Sequence, residues 1–205
     1  MKKTFLQLFE KKDHRPFIPI VSGLPRSGTS LMMNMLAAGG LEVLTDQLRT
    51  PDDDNPVGYF ELEDVKKLIK GEHSWLARSN GKAIKVISTL LPYLPDGYHY
   101  RIIFMRRAMQ EVLASQRKML INRGEDPDKI SDDRMAAFFE KNLQESERWI
   151  NSQAYATRLD INYTQLIANP GPRVAEIDTF LGGGLDKDKM QGVIDPSLYR
   201  QRSVK

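Results

Sequence analysis

Residues 18–33, Ile-Pro-Ile-Val-Ser-Gly-Leu-Pro-Arg-Ser-Gly-Thr-Ser-Leu-Met-Met, read as a buried strand, a tight turn and a helix whose first turn is built to hold an anion. The helix opened by Gly28, Thr29 and Ser30 presents backbone N–H groups that lack intrahelical partners, at the positive end of its dipole. A phosphate or sulfate group satisfies both. The spacing Gly23-x-x-x-x-Gly28-Thr29-Ser30 copies the phosphate-loop pattern of nucleotide triphosphatases except at the lysine position, where Thr29 stands. That exchange counts against ATP or GTP hydrolysis. So does the clearest second strand, 101–107, which ends in arginines rather than in the acidic residue that holds magnesium. The anion chemistry therefore rests on side-chain cations. Arg26, two residues before Gly28, is placed to reach a bridging oxygen of a transferred group, and Pro25 stiffens the turn.

Runs rich in Ile and Val at 17–22, 83–87, 101–105 and 159–163 alternate with stretches of helical spacing at 28–38, 62–70, 109–122, 132–151 and 171–181. This alternation predicts an α/β fold, three-layered and P-loop-like, with a mostly parallel central sheet flanked by helices. Ligands in such folds sit beyond the carboxyl ends of the strands. With 205 residues and 40% hydrophobic content, residues 1–205 suit a single domain. No apolar run approaches the length of a membrane span, and the start of the chain lacks a signal-peptide pattern, so the expected location is cytoplasmic. The absence of cysteine removes thiolate metal sites and cysteine nucleophiles from consideration. Thirty basic against 27 acidic residues give a net charge of +3, which does not imply nucleic-acid binding. Local clusters such as Arg101, Arg106 and Arg107 would draw a multiply charged ligand instead, although Arg101 is expected to face solvent. The tail, 186–205, reads as polar and basic.

Arg107 closes the strand at 101–105, and Ser115 follows eight residues later on the next helix. The loop Pro25-Arg26-Ser27-Gly28-Thr29-Ser30, followed by this strand-end arginine and helical serine, resembles the two cofactor-binding motifs of the sulfotransferase family. The resemblance covers roughly the first 120 residues and includes Lys85 in the strand at 83–87. It implies 3′-phosphoadenosine 5′-phosphosulfate (PAPS) as sulfuryl donor, 3′-phosphoadenosine 5′-phosphate (PAP) as product, and no metal. By its first motif, Arg26, Ser27, Gly28, Thr29 and Ser30 hold the 5′-phosphosulfate. By its second, Arg107 and Ser115 hold the 3′-phosphate, and Arg107→Ala is expected to weaken donor binding with little loss of fold. Many soluble members carry lysine where this chain has Arg26. Arginine keeps the charge but is a poor proton donor, which favours stabilisation of the leaving phosphate.

The family's base is histidine in some branches and glutamate in others. His14 and His99 precede strands and fall at the wrong edge of the sheet. His73, in Gly71-Glu-His-Ser-Trp75, competes with a surface role. Glu61, delivered by the loop Gly58-Tyr59-Phe60, is the preferred base, with Glu63 as fallback; a plain helix-terminal acid is the other reading of Glu61. Lys85, mid-strand in an apolar run, must aim its ammonium at a partner, and the resemblance implies the sulfonate. The run Asp52-Asp53-Asp54 reads as a solvated turn, and Trp75 and Trp149 as core. Tyr199, Arg200 and Arg202 are candidates to fold back over the 3′-phosphate, with Arg200 taken as a cofactor contact. The partners implied are the nucleotide donor and an unidentified hydroxyl or amine acceptor. Two alternatives stay open: a P-loop kinase or nucleotide hydrolase, disfavoured by Thr29, and a catalytically inactive nucleotide-binding protein, which the unsettled base would suit.

Overall fold

The computed structural model describes residues 16–46, 48, 52, 55 and 58–199. Four strands, β1 (Ile18–Gly23), β2 (Ile84–Lys85), β3 (Tyr100–Arg106) and β4 (Ala156–Asn162), form one sheet in the order β2-β1-β3-β4. Every pair is parallel, with Ile20 opposite Ile84 and Ile102, and Ile103 opposite Leu159. Because the inner strands are covered on both faces, their sequences are near-continuously apolar rather than alternating. Ile18, Ile20, Ile84, Ile102 and Phe104 point to one side. Val21, Ile103, Met105 and Ile161 point to the other.

The first side is closed by Ile150 and the inner edge of α3 (Asp132–Ser152), together with 3-10 turns at Glu63–Lys70, Ser74–Arg78 and Ser88–Tyr93. Trp75 is buried there and Trp149 packs on its margin, so both serve the core as expected. The second side is closed by α1 (Thr29–Ala38), α4 (Tyr163–Ala168), α5 (Pro170–Phe180) and α6 (Lys187–Gly192). On α1 the residues facing the sheet are Met32, Met33, Met35 and Leu36, all fully buried, and Met105 and Met190 join the same cluster. The expected three-layer α/β architecture is therefore present. A further helix, α2 (Met109–Asn122), leads from β3 toward α3, and Leu24, Val112 and Phe139 form a small third cluster beneath the loop that follows β1.

Three local expectations need correction. The segment at 62–70 is a 3-10 helix, begun at Glu63, not an α-helix. The strand expected at 159–163 starts earlier and stops at Asn162, whose side chain accepts the Gln165 N–H and caps α4. The supposed polar tail contains α6, capped by Asp186, with Met190 fully buried. Among the described residues no helix is long and apolar enough to cross a membrane.

Candidate functional site

At the carboxyl end of β1 the chain turns through Gly23 (φ 145), Arg26 (φ 67) and Gly28 (φ 102) before entering α1. A left-handed arginine is a strained conformation that the surrounding contacts must impose. Ser27 supplies part of that constraint, its hydroxyl donating to Leu24 O at 2.7 Å and its N–H to the same carbonyl at 3.2 Å. Gly28 is required twice, by its φ and by space, since a Cβ there would lie 2.4 Å from Cδ2 of Tyr163. As N-cap of α1, Gly28 has no side-chain cap bond, and the first turn, begun by the buried Thr29, holds no acidic residue. The first turn thus carries neither a side-chain cap nor an acidic residue at the positive end of its dipole.

The two motifs meet. Arg26 Nε donates to Ser115 Oγ at 3.0 Å, and Arg107 Nη1 donates to the Arg26 carbonyl at 3.1 Å. Arg107 also donates through Nε to Glu111 Oε2 at 2.9 Å, and its guanidinium lies 4.7 Å from the Tyr163 ring centroid and 5.5 Å from that of Tyr199. Arg101, at the amino end of the same strand, is roughly 20 Å away by the rise of an extended chain. Contrary to expectation it neither faces solvent nor joins this cluster: it donates to Phe180 O at 3.0 Å and stacks on Phe17. Arg106 pairs with Glu147 and Asp160 on the other face of β3.

On the neighbouring strand, Lys85 alternates with Ile84 and Val86 and so points toward the α1 side of the sheet. Its Nζ donates to the carbonyl of Tyr59 and lies 3.9 Å from Glu61 Oε1. The loop reaches it through Gly58 (φ 89) and Phe60 (φ 50), a second left-handed non-glycine residue. Asn55 ties this loop to the first motif, donating to Ser30 Oγ at 2.9 Å and to Gly58 O at 2.7 Å. Asp52 is exposed and its carbonyl and carboxylate accept from Asn55 N–H in a turn, as expected, and it also accepts from the Tyr59 hydroxyl; Asp53 and Asp54 lie outside the described residues.

Glu63 turns outward to Lys66, and His73 is exposed at the start of its 3-10 turn. His99 sits just before β3, at the edge opposite the loop. His14, Arg200 and Arg202 lie outside the described residues. Among the described residues no three His, Asp or Glu side chains gather where a metal ion could be held.

Sequence reasoning missed Glu111, Tyr163 and Asn55. Glu111 is 2% exposed, and its second oxygen accepts from the Tyr199 hydroxyl at 2.6 Å. Burial raises the pKa values of both Tyr163 and Tyr199 above the usual tyrosine range; for Tyr163 the nearby Arg107 opposes the shift, and for Tyr199 the bond to Glu111 adds to it.

The chain is thus a parallel α/β protein with Arg26, Arg107 and Lys85 at the carboxyl edge of its sheet. That fold is the one found in sulfotransferases. The chain superposes on a Mycobacterium tuberculosis sulfotransferase with a TM-score of 0.59 at 16% identity, covering 89% of this chain and 71% of that one. It matches the sulfotransferase domain of a Synechococcus olefin synthase with a TM-score of 0.54 at 18% identity, covering 97% and 92%. For the sulfotransferase domain of the curacin biosynthetic pathway the values are 0.50 and 14%, covering 93% and 79%. No family model and no curated protein matches the sequence.

Proposed function

We propose that residues 1–205 act as one sulfotransferase domain, moving a sulfuryl group from PAPS to a hydroxyl or amine. The observation that carries this reading is the convergence of Arg26, Ser115 and Arg107 beside the open first turn of α1, on a sulfotransferase fold. Thr29 in place of lysine speaks against a triphosphate substrate.

PAPS, when bound, supplies the activated sulfur–oxygen bond. The residues present fit it. The N–H groups of Gly28, Thr29 and Ser30 would hold the oxygens next to the sulfur, and Arg26 would stabilise charge on the departing 5′-phosphate oxygen. Arg107 and Ser115 would hold the 3′-phosphate. Glu61 would take the acceptor proton as the acceptor oxygen or nitrogen bonds to sulfur and the bond to the 5′-phosphate breaks, its electron pair leaving with the phosphate. Lys85, 7% exposed and 3.9 Å from Glu61, would lend its charge to the sulfonate beside that base. Charge stabilisation comes from side chains and helix amides, so the reading requires no metal.

Calorimetric titration with PAP, adenosine 5′-phosphate and magnesium-ATP tests this. Micromolar binding of PAP that depends on the 3′-phosphate is expected. Preference for magnesium-ATP, or no binding of PAP, overturns the reading.

A further inference from the structure

Glu111 is a buried carboxylate beside the residue assigned to a phosphate, an arrangement that simple electrostatics disfavours. Each of its oxygens has a defined partner. Oε2 accepts from Arg107 Nε at 2.9 Å, and Oε1 accepts from the Tyr199 hydroxyl at 2.6 Å. Tyr199 follows a short 3-10 turn at Pro196–Leu198, and its hydroxyl also lies 3.1 Å from Thr164 Oγ1. Arg107 Nη1 in turn donates to the Arg26 carbonyl inside the anion loop. Four segments of the chain therefore fix one guanidinium: the loop, the end of β3, the first turn of α2 and the residue after the last 3-10 turn.

A guanidinium is a planar fork, and recognition of a phosphate by two parallel N–H bonds depends on the orientation of that plane. Holding the Nε edge with Glu111 and one Nη with a carbonyl sets the plane. The Tyr163 and Tyr199 rings, 5.4 Å apart and edge-to-face, flank it.

We propose that Glu111, braced by Tyr199, is a positioning residue that orients Arg107 and thereby sets selectivity for a 3′-phosphorylated nucleotide over its 5′-monophosphate counterpart. This rests on the reading of Arg107 given above. Selectivity then arises from geometry, because Glu111 offsets the charge of the cation it orients.

The sign of one substitution separates the possibilities. The wild-type chain, Glu111→Gln and Tyr199→Phe are titrated calorimetrically with PAP and with adenosine 5′-phosphate. Positioning predicts that Glu111→Gln weakens PAP about 30-fold while leaving adenosine 5′-phosphate within about twofold. Tyr199→Phe, which removes one hydroxyl and keeps the ring, weakens PAP alone by about threefold to tenfold, and it carries the test if Glu111→Gln fails to fold. Tighter PAP binding in Glu111→Gln would mean that the carboxylate only repels the ligand and would overturn the proposal. An equal loss for both nucleotides would overturn it as a general structural effect. If wild type itself shows no preference for PAP, the donor reading falls and this inference with it. If wild type prefers PAP and both variants keep that preference, the inference alone falls.

Discussion

On one side of the rim Arg26, Arg107, Glu111, Ser115 and Tyr199 hold one another through bonds of 2.6, 2.9, 3.0 and 3.1 Å, with Arg107 and Glu111 almost sealed from solvent. On the other side Glu61 is about one-third exposed and stands 3.9 Å from Lys85, on a loop that passes through a left-handed phenylalanine. The Arg107 side is thus fixed by mutual restraint, whereas the Glu61 side presents its carboxylate at a partly open surface. Substitutions on the first side should cost both folding and binding. Those on the second should cost rate alone.

Glu61→Gln is the strongest probe of the open side. It should lower sulfuryl transfer by about 10²–10⁴-fold, measured as PAP release with any acceptor that turns over, while urea unfolding and PAP affinity stay as in wild type. A stability loss comparable to the rate loss would erase the contrast between the two sides. Arg107→Ala should be destabilising by about 3–5 kcal/mol in urea unfolding, because it leaves Glu111 buried without its cation. This revises the expectation that the fold would hardly notice that change. Unchanged unfolding would show that the restraint is not mutual. Gly28→Ala, which forces a Cβ at φ 102 against the Tyr163 ring, should cost about 2–3 kcal/mol and abolish nucleotide binding. Wild-type affinity in that variant would remove the first turn of α1 from the site.

The smallest effect concerns pH on the open side. The Glu63 N–H holds the Asp46 carboxyl below the usual carboxylate range; burial opposes it and the Leu48 N–H adds to it. A depressed folded value means that this contact contributes at neutral pH and is lost as the pH falls below about 4. The Glu63 amide resonance should therefore move with an acidic midpoint in wild type and not in Asp46→Asn. Identical titrations in the two proteins would show that Asp46 does not hold this end of the loop.

The strand over 101–105 and the first motif were legible because buried parallel strands and glycine-marked turns leave local signatures. Arg26 and Ser115, named from their motifs, do meet. Glu111 was silent because its partner Tyr199 is 88 residues away, and nothing local distinguishes a first-turn glutamate that faces water from one that faces a buried arginine. Helix α6 was silent for a different reason: six residues with one buried side chain, Met190, have no periodicity to detect. Arg101 was misread because its acceptor, the Phe180 carbonyl, exists only once α5 has packed at the amino edge of the sheet.

The buried methionines of α1 give the loop that precedes it a compliant footing. Met32, Met33 and Met35 bed the helix on unbranched, polarizable thioethers, which re-rotate to keep contact where branched side chains would open gaps. Hydrogen bonds fix the rim, and the layer beneath it is the part of the core most able to repack. Replacing those methionines with leucine or isoleucine would preserve the apolar volume and stiffen the suspension.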